Sequence, residues 1–334
     1  MKHFNRRQFL WGSAGALTWL GAGCGSSGVS LPDSLSGYLL FDEKDGRDNS
    51  RAVLIRPDGS ERLVLPIPSD GFVLKGASPD GRVVVGASYG TLALFSLADQ
   101  TFQLVSGCHG PAKYAWSPDG SQLVCMLGAD SRSLPPMVPE YVFRIYDTRT
   151  KSVREIGRAT GSGFASLTWS GSESLLWADQ QGTFRLPLDG SGQVKLAAKG
   201  YDSASPDGRY LLMNSTVEAV PSYARLDTIT GVTQTLLENV WPVGKVGWDR
   251  EGGVLVLVET VLGYSVLRLT PNNPAQQLFT IVSNTGGTTF GVTWSPDGQS
   301  VAYLRGQGIS DVLEVHGAIG DFSSPAAGSP IAWL

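Results

Sequence analysis

The sequence predicts an all-β fold, a β-propeller of four-stranded antiparallel blades, and three observations predict it. The phrase Ser-Pro-Asp-Gly recurs at 78–81, 117–120, 205–208 and 295–298, each time between two short apolar runs. Intact and diverged copies of it start at 78, 117, 170, 205, 249 and 295, giving steps of 39, 53, 35, 44 and 46 residues. Self-similarity at about 40–50 residues is the period of a propeller blade. The composition agrees. Of 334 residues 42% are hydrophobic and only 17% charged, with 42 Gly and 19 Pro, which suits many short strands joined by tight turns.

The turn explains the repeat. In Ser117-Pro118-Asp119-Gly120 the proline presets φ for the second position of a type I turn, and Ser and Asp suit the positions beside it. Gly120 can take the left-handed conformation that closes such a hairpin. Strands are therefore expected before 117 and from 121, then at 141–147 and 153–157. The same cycle reads at 71–77, 82–88, 91–96 and 101–106, and again at 164–169, 174–178, 183–187 and 193–198. Later units place strands at 210–214, 223–227 and 233–237, at 254–259, 264–269 and 276–281, and at 300–304 and 311–315. The long step of 53 holds an insert at 129–140, rich in Ser and Pro.

The two ends complete each other. Residues 37–41, 52–56 and 62–66 read as three strands without a first one, and Pro330-Ile331-Ala332-Trp333 reads as a first strand without a turn. Joining them closes the ring and gives seven blades. Six blades with a loose N-terminal segment is the alternative. Trp116, Trp169, Trp248, Trp294 and Trp333 fall at one point of the cycle, which marks inter-blade core.

The Trp-Ser-Pro-Asp-Gly hairpin resembles the propeller repeat of the TolB family, which also occurs in prolyl oligopeptidases. The resemblance covers 36–334 and implies a bare propeller. The α/β domain that precedes the TolB propeller and the hydrolase domain of the peptidases have no counterpart here. Such modules act mostly as binding platforms in the cell envelope, and fold alone does not fix function.

The N-terminus reads as an address. Arg6 and Arg7 stand directly before an apolar stretch that ends at Leu20, too short for an ordinary membrane span. With Phe9 and Leu10 following, the segment resembles a twin-arginine export signal. Leu20-Gly21-Ala22-Gly23-Cys24, then Gly25-Ser26-Ser27-Gly28, resembles a bacterial lipoprotein signal, although its Leu stands four rather than three residues before the cysteine. The expected organisation is a signal peptide at 1–23, a lipidated Cys24 with a flexible tether to residue 35, and a propeller over 36–334. The protein is then exported to the cell envelope or periplasm and held at a membrane by its acyl chains.

Charge excludes one class of partner. The first 23 residues hold Lys2, Arg6 and Arg7 and no acid, so 23 basic residues remain against 30 acidic ones, a net charge of −7. That body carries no footprint for nucleic acid. No catalytic constellation is legible. Gly86-Ala87-Ser88-Tyr89-Gly90 matches the Gly-x-Ser-x-Gly elbow of serine hydrolases but lies between two strands of one blade, where hairpin glycines are expected. Past the signal the only histidines are His109 and His316, in no metal-ligating spacing, so neither a metal nor a cofactor is expected. The acidic stretch 42–49 lacks the alternating carboxylates of a calcium loop and reads as a hairpin tip.

Candidate ligand-binding residues gather at the channel mouth. His109 lies where the chain returns to the centre, and Lys113, Ser166, Tyr201 and Lys245 each stand four residues before a turn, in innermost strands. A register slip of one residue would point them into blade packing. Cys108 and Cys125 are candidates for a disulfide, Cys125 being expected opposite about Ala112. The functional expectation is a monomeric binding module for a protein or cell-surface polymer. The alternative is a small-ligand or metal-dependent hydrolase or lyase working at the channel mouth.

Overall fold

The computed structural model describes residues 31–32, 35–44, 50–68, 71–128, 140–161, 166–217, 220–238, 246–261, 263–282, 289–306, 311–318, 320–326 and 328–333. Arg6, Arg7, Cys24, Lys245 and most of the 129–140 insert lie outside the described residues.

The strands form seven four-stranded antiparallel sheets, the blades of a propeller. Blade 1 holds β1 (Leu39–Lys44), β2 (Ser50–Ile55) and β3 (Arg62–Val64), and blade 2 holds β4 (Phe72–Ala77), β5 (Val83–Ser88), β6 (Thr91–Ser96) and β7 (Phe102–His109). Blade 3 is β8 (Pro111–Trp116), β9 (Gln122–Gly128), β10 (Glu140–Asp147) and β11 (Val153–Thr160). Blade 4 is β12 (Ser166–Ser170), β13 (Ser174–Asp179), β14 (Gly182–Pro187) and β15 (Val194–Ala197). Blade 5 is β16 (Ser203–Ala204), β17 (Tyr210–Val217), β18 (Val220–Asp227) and β19 (Thr233–Glu238). Blade 6 is β20 (Gly247–Trp248), β21 (Val254–Thr260), β22 (Gly263–Leu269) and β23 (Gln276–Val282). Blade 7 is β24 (Thr289–Trp294), β25 (Ser300–Gly306), β26 (Asp311–Gly317) and β27 (Phe322–Ala326).

The last strand, β28 (Gly328–Trp333), pairs with β1 and supplies the innermost strand of blade 1, so the ring has seven blades and closes without a covalent bond. The six-bladed alternative falls on this pairing.

Each Ser-Pro-Asp-Gly phrase builds the same small hydrogen-bonded hub between the first and second strands. The serine hydroxyl is buried and donates to the aspartate: Ser117 Oγ lies 2.6 Å from Asp119 Oδ1, and the distances at Ser205–Asp207 and Ser295–Asp297 are also 2.6 Å. The same oxygen accepts the amide that opens the second strand, as Gln122 N does at 2.9 Å. Gly120 and its three counterparts sit at φ of 65–70°, a region that L-residues avoid. In the diverged copy Asp249 takes the serine's place, and its carboxylate accepts the amides of Glu251 and Gly253, both at 2.8 Å.

The cores lie between blades. Seven apolar clusters occupy the seven seams, and neighbouring residues of one strand serve opposite seams. Leu175 packs toward blade 3 and Leu176 toward blade 5, while Val254 packs toward blade 5 and Leu255 toward blade 7. Strands covered on both faces carry continuous apolar runs, as in Leu123–Met126 and Val254–Val258. Guanidinium groups add polar ties across seams. Arg144 donates to Gly107 O at 2.7 Å, Arg185 to Thr228 O at 2.7 Å, and Arg225 to Gly252 O at 2.8 Å.

Three local expectations are corrected. Leu35, assigned to the tether, is fully buried in the seam of blades 1 and 2, and its amide donates to Gly81 O. Cys125 pairs with Tyr114 rather than Ala112, because the regular ladder that starts at Trp116 and Leu123 reaches Cys125 at Tyr114, before the bulge between Pro111 and Lys113. Blade 7 has a fourth strand, β27, which the polar, Pro-containing sequence 322–326 conceals.

Candidate functional site

Of the residues proposed to line the channel, Lys113 and Ser166 lie on innermost strands, β8 and β12. Lys113, on β8, is exposed. His109 closes β7, exposed, with its Nδ1 2.9 Å from the Thr91 hydroxyl. Ser166 and Tyr201 are brought together instead as a structural pair. The Ser166 hydroxyl donates to Tyr201 O at 3.0 Å, and the Tyr201 hydroxyl donates to Leu176 O at 3.0 Å. Tyr201 is buried in the seam of blades 4 and 5, where burial raises its phenol pKa and keeps it protonated. The expectation that Tyr201 lines the channel is corrected: the hydroxyl is committed to the backbone of the neighbouring blade. Ser88 is buried in β5 and is followed by a tight turn in which Tyr89 and Gly90 have φ of 47° and 77°. That is a hairpin, not a nucleophile elbow.

Cys108 and Cys125 form a disulfide, with Cα atoms 6.3 Å apart. It joins the end of β7 to β9, so it crosses from blade 2 to blade 3 and encloses the connection that carries His109 and Lys113. One inner-strand residue escaped the sequence reading. Lys75 of β4 is exposed and occupies a bulge between Leu74 and Gly76, so counting back from the turn selects the buried Leu74 instead.

A cavity of about 710 Å³ opens on the face that carries the Ser-Pro-Asp-Gly turns, across blades 5, 6 and 7. Trp248 and Trp294 floor it, with Pro206, Arg209, Arg250 and Pro296 around the rim. A second cavity of about 570 Å³ continues toward blade 1 and shares Arg250, Ser295 and Pro296 with the first. Arg250 therefore stands between two hollows of one groove. Its positive charge helps to hold the Asp297 carboxyl below the usual range, although the Ser295 hydroxyl is the main cause. Nearby, Tyr210 lies between two guanidinium groups, with Arg225 4.1 Å and Arg209 5.0 Å from its ring centre. Sequence periodicity exposes the turns but not the groove, because the groove is made by turns of different blades.

A third cavity, about 600 Å³, lies between β23 and the turn after β26. His316 lines it, with Nδ1 2.9 Å from Asp321 and Nε2 3.4 Å from Glu314. Glu314 also accepts from the Tyr303 hydroxyl at 2.6 Å and from Arg305 Nε at 2.7 Å. Among the described residues no group of three or more His, Cys, Asp or Glu side chains is placed to share a metal ion.

No protein-family model matches the chain, and no curated protein matches it. Solved structures do. TolB from Acinetobacter baumannii aligns with a TM-score of 0.51 at 16% identity, over 90% of this chain and 67% of that one. The chain has a TolB-like β-propeller fold. An oligogalacturonate lyase in complex with manganese aligns with a TM-score of 0.64 at 13% identity, over 84% of this chain and 86% of that one. Uncomplexed acylaminoacyl peptidase from Pyrococcus horikoshii gives 0.61 at 13% identity, over 89% of this chain and 54% of its own length. Identities this low speak for fold alone, and these propellers serve different chemistries.

Proposed function

We propose that this chain is an exported cell-envelope β-propeller, held at a membrane by a lipidated Cys24, that acts as a binding or scaffold module for a protein or surface polymer. The address rests on Arg6, Arg7 and the segment ending at Cys24. The observation that carries the binding reading is the turn-face groove on either side of Arg250. Its proline rings and indole floor supply apolar contact, and its guanidinium and carboxylate groups supply directional bonds. That mixture is what recognition surfaces use.

The test is affinity capture from membranes with the acylated protein as bait, run beside Arg250→Glu and Cys24→Ala. A stoichiometric partner that Arg250→Glu loses supports the reading, as does release of Cys24→Ala into the soluble fraction. Failure to capture a partner sinks the binding module, and a membrane-bound Cys24→Ala sinks the anchor. A second reading is a hydrolase or lyase with its site at the channel mouth. The likeness to the manganese-bound lyase favours it, and a stoichiometric metal in the purified protein would raise it above the first.

A further inference from the structure

The turn-face groove joins the turns of neighbouring blades at contact distance. The blade 7 turn lies against the blade 6 turn, where a β-carbon on Gly298 would come 3.3 Å from Cβ of Asp249. The Trp294 ring covers Gly247 of β20, and the Trp248 indole donates to Ser203 Oγ of blade 5 at 2.8 Å. Arg250, the residue after Asp249, lines the hollows on both sides and acts electrostatically on Asp297.

The charged groups of this groove are unequally occupied. Five carboxylates line the two hollows, and each accepts a bond from the protein. Asp207 takes the Ser205 hydroxyl at 2.6 Å, Asp297 the Ser295 hydroxyl at 2.6 Å, and Asp58 the Ser60 amide at 2.9 Å. Asp249 takes two amides of its own turn, and Glu251 takes Arg268 Nη2 at 2.7 Å. Of the three guanidinium groups, Arg209 meets Asp227 at 3.5 Å and Arg56 meets Glu61 at 3.5 Å. Arg250 is exposed and makes no hydrogen bond or ion pair with a described residue. The charge that the groove leaves for a ligand is therefore one cation.

A guanidinium with its donors unoccupied matches a carboxylate, which it can hold by two parallel bonds. The surroundings narrow the class. Five neighbouring carboxylates would repel a doubly charged phosphate, and equally a polymer that bears an acid on every unit. Trp248 and Trp294 on one side of Arg250, and Trp333 on the other, are each 9% exposed. None offers an open ring face for stacking, but with Pro206 and Pro296 they form apolar hollows that admit side chains. Building on the binding reading above, we infer that the groove docks a segment of a partner protein in which a single Asp or Glu stands between apolar residues. Its carboxylate pairs with Arg250, and the flanking apolar side chains enter the hollows on either side.

The experiment is selection from a displayed library of random peptides on the immobilised full chain, run beside Arg250→Glu. The wild type should enrich peptides with one Asp or Glu among apolar residues, and Arg250→Glu should not. The most enriched peptide is then titrated by fluorescence anisotropy. Arg250→Gln should weaken it about tenfold or more. Exchanging the peptide's acid for its amide should weaken wild-type binding as much, yet change binding to Arg250→Gln little, the mark of a direct pair. Thermal melts check that both variants stay folded. Enriched peptides that lack a carboxylate, or that bind Arg250→Glu and Arg250→Gln as well as wild type, overturn the inference. So does absence of enrichment. The binding reading itself stands or falls separately, on the membrane capture: a partner captured there through Arg250 by a group other than a carboxylate would keep that reading and remove this one.

Discussion

Phe322 lies over Gly59, its ring filling the space that a β-carbon on the glycine would need. Gly59 sits in the turn after β2 of blade 1, and Phe322 opens the last strand of blade 7, so this contact fastens the seam where the ring closes. Phe322 packs there with Trp333, Phe41 and Leu313. Gly59 also has φ of 73°, so a side chain would meet both strain and collision. Gly59→Ala should destabilise the protein by about 2–4 kcal/mol. Urea unfolding checks this. A loss below about 0.5 kcal/mol would mean that the closing seam contributes little to global stability.

The blade 7 network predicts how stability depends on pH. Burial disfavours the Glu314 carboxylate, but bonds from His316, Arg305 and Tyr303 outweigh it and hold its pKa at about 2. The group is depressed, so its contribution is present above about 4.5, its ordinary value, and is lost as pH falls toward about 2. That contribution is on the order of 3 kcal/mol. Burial also lowers the pKa of His316, but Glu314 and Asp321 more than reverse it and raise it above 6.5. Its contribution is complete below about 6.5 and is lost as pH rises through the raised value. Unfolding free energy measured across pH should therefore fall on both sides, and His316→Gln should remove the alkaline fall and shrink the acid one, since His316 helps to hold the Glu314 carboxyl down. Glu314→Gln should cost more, about 3–5 kcal/mol, because it strips the partner from the part-buried Arg305.

Much of the fold was legible because the turns are local chemistry. Ser, Pro, Asp and Gly each meet a requirement within four residues, and the wide ring can be counted from them. Closure was legible because β28 lacks a turn and β1–β3 lack an inner strand. The channel was harder. Bulges at Lys75 and Ala112 break the count from the turn, so Lys75 was passed over, while Tyr201 was placed on the channel although it packs in a seam. The inner strands of blades 5 and 6 are only two residues long, too short for any period to show. The groove around Arg250 joins turns that are distant in sequence, and no pattern along the chain predicts that meeting.

The Cys108–Cys125 disulfide spans 17 residues and ties blade 2 to blade 3. Closing a loop of that size removes unfolded-state entropy worth about 3 kcal/mol. Cys108→Ser with Cys125→Ser should lower stability by about that amount, and wild-type protein unfolded under a phosphine reductant should match the double variant. Equal stability of oxidised and reduced wild type would contradict it.

Two tryptophans at one point of the repeat should respond differently to the same change. Trp169 is 2% exposed and donates its indole N–H to Ala115 O, whereas the Trp116 N–H is buried without a partner among the described residues. Trp169→Phe loses a made hydrogen bond, leaves the Ala115 carbonyl with one partner fewer and opens a small void. It should cost about 2–3 kcal/mol. Trp116→Phe removes a donor that was already unsatisfied, so the relief offsets the lost packing and the net change should stay within about 1 kcal/mol. Denaturation of the two variants side by side decides it. A Trp116→Phe loss as large as that of Trp169→Phe would mean that the Trp116 N–H is satisfied in solution by ordered water.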